Sequence, residues 1–350
     1  MALNFDPNAK ATSKDGIFGL PFSEKDSNVI YLPIPWDVTT SYGKGTSKGP
    51  DAILKASEQI DFFDLEYGMA YEVGLHLRKP SAQTKKQNVE LRKLAEKIMD
   101  SDEEAIKKNK MLQVALKKVN EGSDQLNESI YTECKKLLKL KKTPIILGGD
   151  HSVPFGAIKA YAEEFEDFGI LHFDAHSDTR KAYMGFEHSH ASIMYNVMEK
   201  IKGVKKLVQV GIRDFCEDEY LYTEKHNKIE VHFDLELQRR KQAGETWSSI
   251  AKEIVESLPK NIYISFDIDG LDPRYCPHTG TPVPGGLEFH EVTAILAEII
   301  KAKKTLVGFD LVEVAPGPKG DEWDANVGMR LLYKMTGAML ASQKKIKVKI

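Results

Sequence analysis

Residues 169–178 read GILHFDAHSD, a short apolar run followed by polar residues at regular spacing. The first half is typical of a strand that is buried on both faces of a sheet. The second half carries Asp174, His176 and Asp178, which can converge because residues at i, i+2 and i+4 of an extended chain point to the same side. Open α/β sheets place their sites at the carboxyl ends of the strands. The stretch therefore predicts an α/β sheet with a functional site at this edge.

Apolar runs of similar length recur along the chain, and helix-like segments lie between them. The further strand candidates are residues 28–33, 144–147, 206–212, 229–233, 262–269 and 306–312. The helix candidates are residues 87–140, with a break expected near 121–123, and residues 155–165, 191–198, 247–258, 288–302 and 327–340. This alternation predicts a parallel sheet that is covered by helices on both faces.

The whole chain, residues 1–350, is expected to form one α/β domain. Residues 1–27 would be an N-terminal extension, and residues 85–142 a charged helical segment within the domain. The charge of that segment either forms an anion-binding patch or, as is more usual, the solvated face of surface helices. The tail, residues 344–350, alternates lysines with apolar residues and is either an edge strand or a frayed end.

Composition excludes several classes of protein. The chain has 350 residues, with 49 Lys and Arg against 52 Asp and Glu, so it lacks the basic excess of a nucleic-acid binder. No run approaches the roughly 18 apolar residues of a membrane span, and the N-terminus lacks the layout of a signal peptide. The three cysteines are scattered and odd in number. We therefore expect a cytoplasmic protein that binds neither nucleic acid nor membrane.

Two more strand ends carry similar residues, in LGGDHS at 147–152 and SFDIDG at 265–270. A single Asp-x-Asp pair is usually a helix cap or a turn, but three polar segments at strand ends favour metal binding. Ionised aspartates are costly to bury in an apolar sheet without cations. Four carboxylates match two divalent cations, and oxygen ligands with some imidazole favour Mn²⁺ over zinc. The candidate ligands are His151, Asp174, His176, Asp178, Asp267 and Asp269.

These three segments resemble the signature segments of the ureohydrolases, a family that includes arginase, agmatinase, guanidinase and formimidoylglutamase. Residues 43–53, 279–287 and 308–314 resemble further elements of that family, so the resemblance spans most of the chain. It implies a three-layer α/β/α fold with a central, mostly parallel sheet of about eight strands. It also implies two Mn²⁺ ions per chain, or another divalent metal such as Ni²⁺, and assembly into a homotrimer or homohexamer.

The resemblance also implies roles for individual residues. Asp174 and Asp267 would bridge the two metals, and Asp178 would accept a proton. Glu313 would pair with the guanidinium of the substrate, because a planar guanidinium can donate two N–H groups to one carboxylate. His190 would transfer protons, with His188 as its rival for that role and as a candidate to contact substrate.

The choice of substrate rests on weaker signals. Residues 187–194, EHSHASIM, are closer to the Ser-His-Ala form of many agmatinases, so hydrolysis of agmatine to putrescine and urea is the leading expectation. Arg180 either binds a substrate carboxylate, which would favour arginine or formimidoylglutamate, or pairs with a neighbouring acid. Guanidine also stays open as a substrate. Metal-dependent deacetylases share the family's fold, but deacylation needs neither a second metal nor Glu313.

Overall fold

The apolar runs form one sheet in a computed structural model, which describes residues 5–8, 11 and 16–348. Within these residues the sheet has eight strands, and every strand pair is parallel. The strands are β1 Val29–Ile34, β2 Leu75–Leu77, β3 Thr143–Gly148, β4 Phe168–Phe173, β5 Val204–Ile212, β6 Ile229–Phe233, β7 Asn261–Asp267 and β8 Thr305–Val312. Their order is β2-β1-β3-β8-β7-β4-β5-β6, so β8, the last in sequence, lies between β3 and β7.

Helices connect and cover the strands. Those of the described residues are α1 Gly49–Ala56, α2 Ala82–Met99, α3 Glu103–Lys108, α4 Lys110–Lys139, α5 Phe155–Glu164, α6 Ile193–Lys200, α7 Glu217–Lys225, α8 Asp234–Gln242, α9 Trp247–Glu256, α10 Phe289–Lys301 and α11 Trp323–Ser342. None of them combines the length and apolarity needed to cross a membrane, as far as the chain is described.

Side chains alternate along the strands between two apolar clusters. On β1, Val29 and Tyr31 belong to one cluster, whereas Ile30 and Leu32 belong to the other. Successive strand residues point to opposite faces, so each cluster lies on one face of the sheet. The first cluster includes residues of α1, α9, α10 and α11, and the second includes residues of α2, α4, α5 and α6. The predicted three-layer fold with a parallel sheet of about eight strands is confirmed.

The predicted helix break near residues 121–123 is wrong, because α4 runs through it without interruption. A Cβ atom on Gly122 would lie 2.3 Å from Cδ1 of Leu91, so this glycine permits close packing of α4 on α2. The chain instead breaks on either side of α3. The side chain of Asp102 accepts a hydrogen bond from the N–H of Ala105, and such a cap begins a new helix.

Hydrophobic periodicity does not identify the short or polar elements of the fold. The three-residue strand β2 and the helices α1, α7 and α8 have no counterpart among the predicted elements. The strand predicted over 262–269 ends at Asp267, because the Asp267 side chain accepts the N–H of Asp269 and turns the chain into a 3₁₀ turn. No strand occurs at 344–348, and the end of the predicted tail, residues 349–350, lies outside the described residues.

Candidate metal centre

Polar residues lie at the carboxyl ends of four neighbouring strands, which are β3, β8, β7 and β4. His151 follows β3, Asp174 follows β4, Asp267 ends β7 and Glu313 follows β8. The turn after β3 requires glycine, because a Cβ atom on Gly149 would lie 1.8 Å from the carbonyl oxygen of Trp36. Segments that are more than 100 residues apart in sequence therefore meet at one edge of the sheet.

Asp174 lies at the centre of the cluster and is fully buried. Its Oδ2 is 3.0 Å from Nδ1 of His151, and its Oδ1 is 3.3 Å from Nδ1 of His176. The two oxygens of one carboxylate thus face two different imidazoles. This arrangement suits a carboxylate shared between two cations.

Each imidazole has further carboxylate neighbours. Nδ1 of His151 lies 3.1 Å from Oδ2 of Asp178 and 3.3 Å from Oδ2 of Asp267. Nδ1 of His176 lies 3.1 Å from Oδ2 of Asp269. The structure therefore brings together all six side chains that the sequence predicted as ligands. Among the described residues, two groups could hold a metal ion, namely His151, His172, Asp174 and Asp178 in one group and Asp174, His176 and Asp269 in the other.

The electrostatics of the cluster favour added cations. Burial, together with Asp269 and Asp174, raises the pKa of Asp267 well above its usual range. Burial and the charge of Asp174 raise the pKa of Asp178 to about 7. The carboxylates in turn hold the pKa of His151 well above its ordinary value, although burial opposes this. Protonation is therefore favoured where the carboxylates lie close together, and divalent cations could take the place of these protons.

Glu313 contributes a buried carboxylate oxygen that lacks a partner. The residue is 2% exposed and has a positive φ of 61°. Its Oε1 accepts the backbone N–H of His151 at 2.9 Å, whereas Oε2 has no hydrogen-bond partner in the described part of the chain. A buried acceptor without a donor costs free energy, about 1–3 kcal/mol or more when charged. A guanidinium group could supply the missing donors.

His190 and His188 have different surroundings. Nε2 of His190 lies 3.1 Å from Oγ of Ser41, and the ring lines a cleft of about 160 Å³ above the carboxylates. His188 lies outside this cleft. Its Nε2 is 3.1 Å from Oδ1 of Asp124 on α4, and its ring packs against Phe155. Only His190 is therefore near the candidate ligands, and nothing in the placement of His188 supports contact with substrate.

Arg180 also lines the cleft, but its charge has a partner. Its Nε lies 3.4 Å from Oε2 of Glu219, and its guanidinium stacks 4.9 Å from the ring centroid of Tyr183. Glu219 is 4% exposed and also accepts the N–H groups of Thr179 and Cys216. Arg180 thus has the acidic neighbour that one of its two interpretations from sequence required, and its side chain also lines the cleft.

The loop that carries Ser41 is held by helix α2. The side chain of Asn88 exchanges two hydrogen bonds with Asp37, at 2.8 Å to its N–H and 2.9 Å to its Oδ1. Nη1 of Arg92 donates to the carbonyl oxygens of Asp37 at 2.9 Å and of Thr40 at 2.6 Å. We call Asn88 and Arg92 the loop clamp. Part of the charged helical segment therefore supports the cleft and is not merely a solvated face.

Sequence reasoning missed Glu219, Ser41 and the loop clamp, and the signals for them are weak. Glu219 is the third residue of α7, where an acidic side chain reaches back to the cap residue Cys216, and this pattern predicts only a helix start. Ser41 has no motif in sequence beyond its place near the Gly-Lys-Gly-Thr element at 43–46.

The model of the arginase family matches residues 27–337 of this chain. The chain is 33% identical over 303 residues to the N(1)-aminopropylagmatine ureohydrolase of Thermus thermophilus, covering 85% of this chain and 87% of that protein. It is 28% identical over 309 residues to the agmatinase of Pyrococcus horikoshii, covering 88% of this chain and 91% of that protein.

Solved structures share the fold. The agmatine ureohydrolase of Thermoplasma volcanium superposes with a TM-score of 0.70 at 23% identity, covering 95% of this chain and 96% of that chain. The arginase from Bacillus subtilis superposes with a TM-score of 0.64 at 21% identity, covering 89% of this chain and 99% of that chain.

Proposed function

The chain belongs to the arginase family and is a hydrolase of guanidino compounds, and from that premise we propose that it is a two-manganese enzyme that converts agmatine to putrescine and urea. The observation that carries the proposal is the buried carboxylate of Glu313, whose Oε2 lacks a partner and whose Oε1 lies 3.5 Å from Nδ1 of His190. An acetylated lysine offers one uncharged amide N–H and a metal-storage role offers none, whereas a guanidinium offers paired, charged N–H donors that match a carboxylate.

We propose that the six clustered side chains hold the metal ions, with Asp174 and Asp267 shared between them. The residues fit this role, because four buried carboxylates concentrate negative charge and the Nδ1 atoms of two imidazoles face the same carboxylate oxygens. When bound, such ions supply a water of lowered pKa and neutralise developing negative charge.

The protein residues then have separate tasks. Glu313 pairs with the guanidinium and presents its carbon to water. Asp178, whose side chain lines the cleft, accepts the proton that the attacking water gives up. The carbon–nitrogen bond to the amine chain breaks, and His190 delivers a proton to the leaving nitrogen. Urea and a protonated amine result.

Support for an amine-tailed substrate comes from the charges at the cleft. Arg180 is engaged by Glu219, so it is poorly placed to receive a substrate carboxylate. Asp214, whose side chain is 67% exposed, lies 3.7 Å from Nε2 of His176 and lines the same cleft. This acid suits a cationic tail. A second candidate substrate is N(1)-aminopropylagmatine, because the Thermus relative that shares 33% identity is named for it and its longer tail is also cationic.

The test is product release by the manganese-loaded enzyme on agmatine, N(1)-aminopropylagmatine, arginine, guanidine and formimidoylglutamate, with an acetylated lysine peptide as the deacetylase substrate. Urea is measured for the first four and formamide for the fifth. We expect the highest kcat/KM on agmatine. A higher value on N(1)-aminopropylagmatine would select the second candidate, and a preference for arginine, guanidine, formimidoylglutamate or the peptide would overturn the proposal. Parallel assays with Ni²⁺ identify the preferred metal.

We further propose one domain over residues 1–350, cytoplasmic residence and assembly into a trimer or hexamer. The single sheet supports one domain, and the free thiols of Cys134 and Cys276 suit a reducing compartment. The oligomeric state follows from the family resemblance, and light scattering after size exclusion would measure it.

A further inference from the structure

His172 is a fully buried histidine next to the candidate metal centre, and the family resemblance gives it no role. It lies on β4, two residues before Asp174, and pairs in register with Gln209 on β5. Both side chains have zero exposure. Fully buried polar groups such as these are costly unless their hydrogen bonds are complete.

The amide of Gln209 has only one orientation that its neighbours allow. Its Nε2 is 2.7 Å from the carbonyl oxygen of Ser177, and a carbonyl oxygen only accepts hydrogen bonds. The reversed amide would place two acceptors against each other. Nε2 therefore carries the second N–H, which is directed at Nδ1 of His172 at 2.9 Å.

The orientation of Gln209 fixes the tautomer of His172. Because Nδ1 accepts a hydrogen bond, the ring proton resides on Nε2, which lies 2.8 Å from Oδ2 of Asp174. His172 is then a donor to Asp174. Coordination of a metal through Nε2 would require the proton on Nδ1, where it would oppose the N–H of Gln209. The amide thus excludes His172 from the ligand set, although its ring lies near that set.

We propose that His172, with its tautomer set by Gln209, is a positioning residue that orients the Asp174 carboxylate between two metal ions. This rests on the proposed function, in which Asp174 is the shared ligand. Oδ2 receives the His172 N–H, and Oδ1 receives the backbone N–H of His176 at 2.6 Å. Each oxygen thus has one donor from outside the proposed ligand atoms, and its other side faces a proposed ligand atom, at 3.0 Å from Nδ1 of His151 for Oδ2 and 3.3 Å from Nδ1 of His176 for Oδ1.

Two substitutions of His172 test whether the hydrogen-bond donor to Asp174 must lie at the position of Nε2. In His172→Gln, the side-chain amide nitrogen can occupy the position of Nε2. In His172→Asn, the side chain is shorter, and its amide nitrogen reaches only the position of Nδ1. Titration of metal-free protein with Mn²⁺, followed by the electron paramagnetic resonance signal of the free ion, gives the affinity of each site. We expect His172→Asn to weaken manganese binding about 10- to 100-fold and His172→Gln to retain most of it.

Equal affinity of both variants and the wild type would overturn the proposal, as would equal weakening in both. Wild-type protein that fails to bind two manganese ions would instead refute the proposed function itself. Where a variant does not fold, the nitrogen-15 chemical shifts of His172 in metal-free wild type decide the tautomer. A proton on Nδ1 would overturn the proposal, and a proton on Nε2 supports it.

Discussion

Nδ1 of His190 lies 3.5 Å from Oε1 of Glu313, so the proposed proton donor and the proposed guanidinium partner are neighbours. Although burial opposes it, Glu313 raises the pKa of His190 above its ordinary value. A ring whose protonated form is favoured beside the substrate-binding carboxylate is in position to protonate a leaving amine. His188, which pairs with Asp124, has no such geometry.

Replacement of His190 by alanine should therefore lower kcat by about 100-fold, the loss typical of a general acid, with little loss of bound manganese. His188→Ala is the matched control, because it removes an identical side chain two residues away. Steady-state kinetics and metal analysis of both variants check this. If His188→Ala slows turnover and His190→Ala does not, the roles are reversed.

Glu313→Gln keeps the shape of the side chain but removes its charge. Loss of a buried charged partner should reduce kcat/KM on agmatine by about 100-fold or more, while both metal ions stay bound. Urea release and metal content are measured on the same preparation. Normal kcat/KM would remove Glu313 from the substrate site.

Asp174→Asn removes the carboxylate whose oxygens face His151 and His176. Manganese content should fall below two per chain, and activity should be lost with it. Asp324→Asn is the control, since it also neutralises a fully buried carboxylate, but one that pairs with His278. Unchanged metal content in Asp174→Asn would exclude it as a bridging ligand.

Arg180→Met should leave the ratio of kcat/KM for agmatine and arginine unchanged, because Arg180 is engaged by Glu219. It should lower the melting temperature, since Glu219 loses its ion pair in a buried position. The double variant with Glu219→Gln should recover part of that loss. A selective fall in arginine turnover would show instead that Arg180 binds a carboxylate.

Metal-free protein should become less stable as the pH rises. The raised pKa of His151 and His176 means that their charged rings stabilise the fold below about pH 6.5, and that this contribution is lost as the pH rises through the raised pKa. The raised pKa of Asp178 acts in the same direction, because its ionised form is disfavoured in the folded state. Manganese should therefore raise the melting temperature more at about pH 8.5 than at about pH 6. A larger rise at the lower pH would contradict this.

The sequence predicts much of the candidate site, because its ligands immediately follow apolar strands. In a parallel sheet, the end of a strand in sequence is also a fixed place in space. The sequence alone therefore groups His151, Asp174 and Asp267. The break predicted near Gly122 is wrong, since this glycine serves to pack α4 against Leu91 of α2, a contact between helices that no local pattern reports.

Other parts of the site depend on contacts that no local pattern reports. The insertion of β8 between β3 and β7 brings Glu313 against the backbone of His151, 162 residues away in sequence. Glu219 and Ser41 likewise reach Arg180 and His190 through tertiary packing alone. Hydrophobic periodicity identifies strands and helices, but not which strand becomes the neighbour of which.

The loop clamp links the outer helix α2 to His190 through the loop that carries Ser41. If α2 frays in a local opening, Asn88 and Arg92 leave the loop, and Ser41 is released from His190 in the same event. Amide hydrogen exchange in α2 and in residues 36–41 should then report one common opening free energy, smaller than that of the central strands.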